Sequence, residues 1–199
     1  AKAILASKEC SLQIELEEDV IKKVVLYCRA ELTAIGSIFG GILAQEIVKF
    51  TGKYTPIDQW FHFDAFELLS ATVPADASPR GCRYDHQISV FGAAFQEKLM
   101  AQKVFIVGCG ALGCEYMKAV AMTGLGTKGK IYVTDDDQIE LSNLSRQFLF
   151  RRKHVGKAKS TSAAAEVVEM NASLATSLKS YEIRVEPDTG QLMLCTRRN

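Results

Sequence analysis

Hydrophobic residues recur at helical spacing in the first third of the chain. Apolar positions within residues 16–32 fall on one face of a predicted helix, and those from Ile35 to Phe50, three and four apart, predict a second helix that ends near Gly52. The aromatic run from Trp60 to Asp64 is bounded by a turn and predicts a strand. The first third is therefore predicted to be helices followed by one short strand.

The composition changes after residue 70. Residues 71–82 are rich in Ala, Pro, Asp, Ser and Gly, which is typical of a linker. We therefore place the domain boundary there, with one unit in residues 1–70 and another in residues 83–199. Beyond the linker, residues 87–100 are predicted to be helical, with a break at Phe91-Gly92.

Two continuous apolar runs follow, at residues 104–107 and 130–134, and both suit strands that are buried on both faces. A helix is predicted between them over about residues 112–122, and another begins near residues 155–159. The order strand, helix, strand is that of a right-handed parallel crossover, so the sequence predicts an α/β fold.

The first of these strands leads directly into a GxGxxG loop where the helix begins. Gly108 and Gly110 permit a tight turn and a close approach to phosphate or ribose, and Gly113 lets the helix pack against the strand. The helix N-terminus offers unpaired N–H groups to anions. Asp135 ends the second strand, where an acidic residue can accept hydrogen bonds from a ribose. Together these features predict a nucleotide site.

The composition mainly argues against certain partners and compartments. The 24 basic and 23 acidic residues give a net charge of +1, so no excess of charge points to nucleic acid or a membrane surface as a partner. The chain does not begin with methionine, from which we expect it to start within a longer protein. Its six cysteines form no CxxC pair, which favours reduced thiols in a cytoplasmic or nuclear compartment.

The segment after the second strand is more specific than the loop. It contains three consecutive aspartates at 135–137, then the motif SNLSRQFLF at 142–150, then VGKAK at 155–159. This series of motifs, in this order, resembles the active adenylation half of the ubiquitin-activating enzymes. Residues 40–64 are similar to the end of the inactive adenylation half, and residues 83–92 resemble the crossover between the halves.

The resemblance implies a Rossmann-like adenylation domain with an incomplete parallel sheet, preceded by a helical and strand segment of the neighbouring half. It implies ATP and Mg²⁺ as cofactors, with Asp135 on the ribose, Asp137 at the Mg²⁺, and Arg146 as the catalytic cation. Attack of a carboxylate on an α-phosphate needs such cations to neutralise developing charge. The implied nucleotide contacts are Gly108, Gly110, Ala111, Gly113, Asp135, Asn143, Arg146, Gln147 and Lys159.

The implied function is ATP-dependent adenylation of the ubiquitin C-terminus, ahead of thioester transfer, in the cytoplasm and nucleus. The implied partners are ubiquitin and, through parts absent here, a ubiquitin-conjugating enzyme. Two departures from the family lead us to expect that the chain alone is incompetent: His86 stands where an arginine would reach across to the nucleotide, and the family's downstream aspartate of the Mg²⁺ site lies outside this sequence. We expect Cys195 to be a tail cysteine, and the incomplete sheet to expose apolar surface.

Several alternatives stay open at this point. The chain could be a non-catalytic fragment or scaffold, or could activate a ubiquitin-like modifier, whereas an NAD-dependent oxidoreductase has no use for Arg146 or Lys159. Asn143 could be a simple helix cap. Cys109 and Cys114 are expected to be small packing residues, and His154 is expected to lie on the surface.

Overall fold

The computed structural model describes residues 17–70 and 72–186, so Cys195 lies outside the described residues. The helices and strands, in chain order, are α1 (Glu18–Tyr27), α2 (Thr33–Lys49), α3 (Asp85–Phe91), α4 (Ala93–Met100), β1 (Lys103–Val107), α5 (Ala111–Thr123), β2 (Lys130–Thr134), α6 (Lys159–Met170) and β3 (Leu178–Tyr181). Short 3-10 helices occur at Phe66–Leu68, Leu141–Ser145, Arg152–His154 and Ala172–Leu174. Among these helices none combines the length and apolar character that a membrane span requires.

The strands of the described residues form one parallel sheet in the order β1-β2-β3. Ile131 on β2 pairs with Val104 on β1 and with Leu178 on β3, so β2 is central, and its Ile131 and Val133 are fully buried. The predicted parallel crossover from β1 to β2 is therefore confirmed.

The prediction that β1 is buried on both faces is wrong. Val107 at its end is 59% exposed, and only Ile106 is buried in this strand, which lies at the edge of the sheet within the described part of the chain. The expected exposed apolar surface is therefore present at this edge of the sheet.

Side chains from β2, α5 and α6 form the main hydrophobic core. Met117 of α5 and Val167 of α6 are fully buried there, together with Leu149 and Phe150 from the segment that joins β2 to α6. The sheet is thus covered by helices that follow β1 and β2, as the strand and helix pattern requires. This packing fixes the loop after β1 and the segment after β2 at the same end of the sheet.

The segment before β1 docks at the C-terminal ends of α5 and α6. The Asn171 side chain donates to the Tyr84 hydroxyl and to the carbonyl of Ala121, at 2.9 Å in both cases. The predicted break between α3 and α4 is confirmed at Gly92, whose φ is +85° and whose added Cβ would lie 2.4 Å from Asp76 Oδ1. Only glycine fits this position without a rearrangement.

Residues 17–70 follow the predicted helices but not the predicted strand. The first helix covers only Glu18–Tyr27, and the second ends close to Gly52, which has the expected positive φ of 88°. Residues 60–64 form no strand, because no partner strand lies beside them among the described residues. Instead Phe61 and Phe63 each make an edge-to-face contact with Phe39 of α2, with ring centroids 6.1 and 5.8 Å apart.

Candidate nucleotide site

The glycine loop is held between β1 and β2 by backbone contacts. Gly108 has a φ of +92°, and its N–H donates to the carbonyl of Thr134 at 2.7 Å, which turns the chain away from the sheet. A Cβ on Gly113 would lie 2.0 Å from the Gly108 carbonyl oxygen, whereas a Cβ on Gly110 would meet nothing within 4 Å. Gly113 therefore permits close packing of the helix, and the space beside Gly110 is open to a ligand.

Helix α5 begins directly at this loop, at Ala111. Its first backbone hydrogen bond runs from Cys114 N–H to the carbonyl of Gly110 at 3.0 Å, so the N–H groups of residues 111–113 have no partner inside the helix. These groups carry the positive end of the helix dipole. The loop and the helix start together offer donors to an anion such as a phosphate.

Asp135 joins the loop to the end of β2. One carboxylate oxygen accepts the Cys109 N–H at 2.5 Å, and the other accepts the Asp137 N–H at 2.8 Å. Its backbone N–H continues the sheet by donating to Tyr181 at 3.2 Å, and its carbonyl accepts the Ser160 hydroxyl at 3.2 Å. The sequence-predicted ribose residue therefore also organises the loop, and each carboxylate oxygen keeps a further acceptor position.

Lys159 completes this cluster from the first residue of α6. Its Nζ lies 2.6 Å from Asp137 Oδ2, and its backbone N–H donates to the Asp137 carbonyl at 3.0 Å. Lys159 is 7% exposed, whereas Asp137 is exposed, so the lysine reaches the carboxylate from inside the fold. The hydrogen bond and the charge of Lys159 hold the pKa of Asp137 below its usual range.

The three aspartates after β2 also offer oxygen ligands to a cation. One carboxylate oxygen from each of Asp135, Asp136 and Asp137 lies within 4.8 Å of the others. Hard oxygen ligands suit Mg²⁺, which is held by one or two carboxylates together with substrate phosphates. Asp137 fits this role, but a cation bound there shares its carboxylate with Lys159 or displaces the lysine toward the phosphates.

The other predicted contacts lie in the segment between β2 and α6 and are not joined to this cluster. Arg146 is exposed, and its Nη1 donates to the carbonyl of Ser142 at 3.0 Å. Asn143 is buried, and its Oδ1 accepts the Glu140 N–H at 3.0 Å, which is the capping role considered as the alternative. For Arg146 and Asn143 the contact with phosphate stays a prediction.

Gln147 has a feature that suits a polar ligand. The residue is 4% exposed, and its side-chain Oε1 has no hydrogen-bond partner within the part of the chain that the structure describes. A buried acceptor without a partner costs free energy, and such atoms often mark a position where water, an ion or a ligand binds. The Gln147 backbone N–H is fixed by the carbonyl of Asn143 at 2.9 Å.

The two cysteines beside the loop are packing residues, as expected. Cys109 and Cys114 are fully buried, and burial together with the nearby Asp135 raises the pKa of Cys109 to about 12. A thiol with that pKa is not a nucleophile at neutral pH.

The expectation for His154 is wrong. It is 6% exposed, its Nδ1 accepts the Arg151 N–H at 3.1 Å, and its Nε2 lies 3.2 Å from Glu166. The Phe150 ring also makes an edge-to-face contact with the imidazole, with the ring centroids 6.4 Å apart. His86 does not face the loop either, since its Nδ1 accepts the Glu31 N–H at 3.0 Å.

Ser160 and Arg151 take part in this region but were not predicted. Ser160 is fully buried beneath Asp135, and the guanidinium of Arg151 binds two backbone carbonyls next to Gln147. A serine beside Lys159 carries no distinct sequence signal. The backbone contacts of Arg151 depend on the turn at residues 147–150, which the sequence motif does not reveal.

A parallel α/β unit with a glycine loop after its first strand, an acid after its second strand and a buried lysine at the next helix defines a Rossmann-like adenylation domain. The chain belongs to the ThiF family, whose pattern matches residues 84–195, more than half of the chain.

Individual relatives agree with the predicted resemblance to ubiquitin-activating enzymes. The chain is 47% identical over 182 residues to "Ubiquitin-activating enzyme E1 1" of Schizosaccharomyces pombe, covering 88% of this chain and 18% of the relative. It is 46% identical over 200 residues to "Ubiquitin-like modifier-activating enzyme 1" of Mus musculus, covering 96% of this chain and 19% of the relative. The chain thus spans about one fifth of the length of these relatives.

Two solved structures share the fold. E. coli MccB with ATP superposes with a TM-score of 0.52 at 30% identity, covering 61% of this chain and 37% of that chain. E. coli tRNA N6-threonylcarbamoyladenosine dehydratase, TcdA, in complex with ATP gives a TM-score of 0.51 at 26% identity, covering 56% of this chain and 44% of that chain.

Proposed function

We propose that this chain forms part of an ATP–Mg²⁺ site in which the C-terminal carboxylate of ubiquitin is adenylated, ahead of transfer to a thioester. The observation that carries the proposal is the cluster around Asp135, which ties the glycine loop to the end of β2 and lies beside the buried Lys159. A dehydrogenase loop has no need of a buried lysine next to its ribose acid.

Different residues contact different parts of the nucleotide in this proposal. The N–H groups at the start of α5 face a phosphate, with the open space at Gly110 above them, and Asp135 accepts the ribose hydroxyls. Lys159, Arg146 and Asn143 contact the phosphates, with Gln147 beside them. Asp137 holds Mg²⁺, which when bound neutralises phosphate charge.

The reaction explains why cations are needed. The ubiquitin carboxylate attacks the α-phosphate, an acyl-adenylate forms, and pyrophosphate leaves, so negative charge develops on the phosphoryl oxygens. The Arg146 side chain is exposed, and its one hydrogen bond to the described residues is to the carbonyl of Ser142, so it can turn toward that charge. This is the catalytic role that we propose for Arg146.

The whole reaction requires more than this chain. We propose that a second adenylation half supplies the cation that His86 does not, because His86 is engaged with the backbone of Glu31. Ubiquitin is the proposed substrate, and a ubiquitin-conjugating enzyme is the proposed acceptor through parts beyond this chain. The proposed setting is the cytoplasm and nucleus.

Calorimetric titration with ATP and Mg²⁺ tests nucleotide binding directly. The parent chain is expected to bind, and Arg146→Ala is expected to weaken binding about tenfold, because one charge-assisted contact to phosphate is lost. The matched control is Arg152→Ala, which removes an exposed arginine whose side chain has no hydrogen bond or ion pair among the described residues. Equal affinity in all three proteins would remove Arg146 from the site.

Pyrophosphate exchange in the presence of ubiquitin separates an enzyme from a non-catalytic fragment. We expect no exchange from the chain alone and restored exchange when the remaining segments of a ubiquitin-activating enzyme are supplied in trans. Bound ATP without exchange in the complemented mixture would favour a nucleotide-binding scaffold. Exchange with a ubiquitin-like modifier but not with ubiquitin would mean that the modifier is the substrate, and the proposed nucleotide site would stay the same.

A further inference from the structure

The turn at residues 147–150 has three buried side chains and one exposed side chain. Gln147, Leu149 and Phe150 are buried, whereas Phe148 is 45% exposed. The carbonyl of Gln147 accepts the Phe150 N–H at 3.1 Å, which closes the turn. Leu149 and Phe150 fix the buried side of the turn in the core. The orientation of the Arg146 and Gln147 side chains therefore depends on the contacts that hold the exposed side.

Arg151 holds the exposed side of the turn. Its Nη1 donates to the carbonyls of Phe148 at 2.5 Å and Phe150 at 2.8 Å, and its guanidinium carbon lies 5.6 Å from the centre of the Phe148 ring. Its own N–H is fixed by His154 Nδ1 at 3.1 Å. One terminal nitrogen of Arg151 therefore binds both carbonyls, while the guanidinium lies near the Phe148 ring.

A lysine of helix α5 also contacts the Phe148 ring. Lys118 Nζ lies 4.7 Å from the centre of the ring and is paired with Glu115 on the same helix. Two cations therefore contact one half-exposed ring, which is a favourable arrangement for each of them. Helix α5 begins at Ala111 in the glycine loop, so the ring connects the turn to the helix that starts at the phosphate.

We propose that Arg151 is a positioning residue for nucleotide binding: it fixes the turn at residues 147–150 so that Arg146 and Gln147 face the phosphates. The inference rests on the proposed function and adds to it a residue that does not itself contact ATP. The buried Oε1 of Gln147, which has no partner among the residues that the structure describes, supports the proposal, because a buried acceptor of this kind often marks a position where a ligand binds.

Calorimetric titrations of the full chain with ATP–Mg²⁺ and with AMP test the proposal. Arg151→Ala is expected to weaken ATP binding about tenfold, and Arg151→Lys to restore part of it, because both carbonyl contacts come from one nitrogen and an ammonium also carries several donors. AMP carries one phosphate in place of three, so fewer of its contacts depend on Arg146 and its affinity is expected to change less than about threefold. The matched control, Arg152→Ala, is expected to leave both affinities within about twofold of the parent.

A double-mutant cycle keeps the test valid if Arg151→Ala also loosens the fold. In an Arg146→Ala background, the Arg151 substitution is expected to weaken ATP binding by less than about twofold further, because it acts through Arg146. Equal losses for ATP and AMP, or the same loss with and without Arg146, would overturn the proposal. Failure of the parent chain and of Arg152→Ala to bind ATP would instead overturn the proposed function, and the inference with it.

Discussion

The two parts of the described chain differ in what covers their apolar side chains. Between Tyr84 and Tyr181, buried residues from strands and helices form one large core around Met117 and Ile131 and a smaller cluster that contains Tyr84 and Ile88. Within residues 17–70, in contrast, no residue is buried, and α2 leaves Leu43 and Ile47 about 60% exposed among the residues that the structure describes.

Both parts nevertheless contain the helices that their patterns predict. Apolar spacing therefore predicts a helix more reliably than it predicts the surface that the helix packs against. The site lies in the part with the closed core, where the loop after β1 and the acid after β2 are held by the packing beneath them. The following predictions test this difference between residues 17–70 and the core of residues 84–181.

The largest effect is expected from adding one methyl group at Gly113. Its Cβ would lie 2.0 Å from the Gly108 carbonyl oxygen, so Gly113→Ala is expected to lower the free energy of unfolding by about 4 kcal/mol or more. The matched change in α2, Gly41→Ala, meets nothing within 4 Å and is expected to stabilise the helix by up to about 1 kcal/mol. Urea unfolding followed by circular dichroism measures both, and a similar cost at the two positions would contradict the difference in packing.

The next largest effect is expected from shortening apolar side chains, which should cost more stability in the core than within residues 17–70. Met117 is fully buried, and Met117→Ala is expected to cost about 3 kcal/mol through lost contacts and a residual cavity. Leu43 is 62% exposed, and Leu43→Ala is expected to change stability by less than about 0.5 kcal/mol. The same urea experiment checks this, and a cost above 2 kcal/mol for Leu43 would show that α2 is covered in solution.

A smaller effect is expected from pH through His154. Burial lowers the pKa of His154 below the ordinary value of 6.5, and the nearby Glu166 offsets this only in part. The unfolded chain therefore binds the proton more readily, so stability is complete above pH 6.5 and falls as pH decreases toward the folded pKa.

Urea unfolding at a series of pH values from 5 to 8 measures this dependence. His154→Gln is expected to flatten the curve between pH 6.5 and the lower folded value. The matched variant, His62→Gln, removes an exposed histidine from residues 17–70. Identical curves for the parent and His154→Gln would show that His154 is not held in its neutral form.

The elements fixed by local chemistry could be predicted from the sequence. Strand β2 begins and ends where the apolar run predicts, and the break at Gly92 follows from a backbone that excludes other residues. The loop at Gly108 and the acid at Asp135 were predicted because GxGxxG between a strand and a helix is informative when an acid follows the next strand.

The errors arise where distant segments decide the outcome. Residues 60–64 have the composition of a strand, but Phe61 and Phe63 pack on Phe39 instead of joining a sheet. The last long helix begins at Lys159, at the end of the predicted range, because residues 156–158 pair with Gln138 and Ile139 across the connecting segment. The burial of His154 was missed because it depends on Glu166, which lies twelve residues further along the chain in α6.

Nucleotide binding at the cluster around Asp135 is tested most sharply by mapping amide chemical-shift changes when ATP and Mg²⁺ are added to the ¹⁵N-labelled chain. The changes are expected to concentrate at Gly108, Gly110, Asp135, Asp137 and Lys159, with residues 17–70 unaffected. Shifts spread over the apolar surface of α2, or no shifts at millimolar ATP, would contradict the claim that the cluster around Asp135 is a nucleotide site.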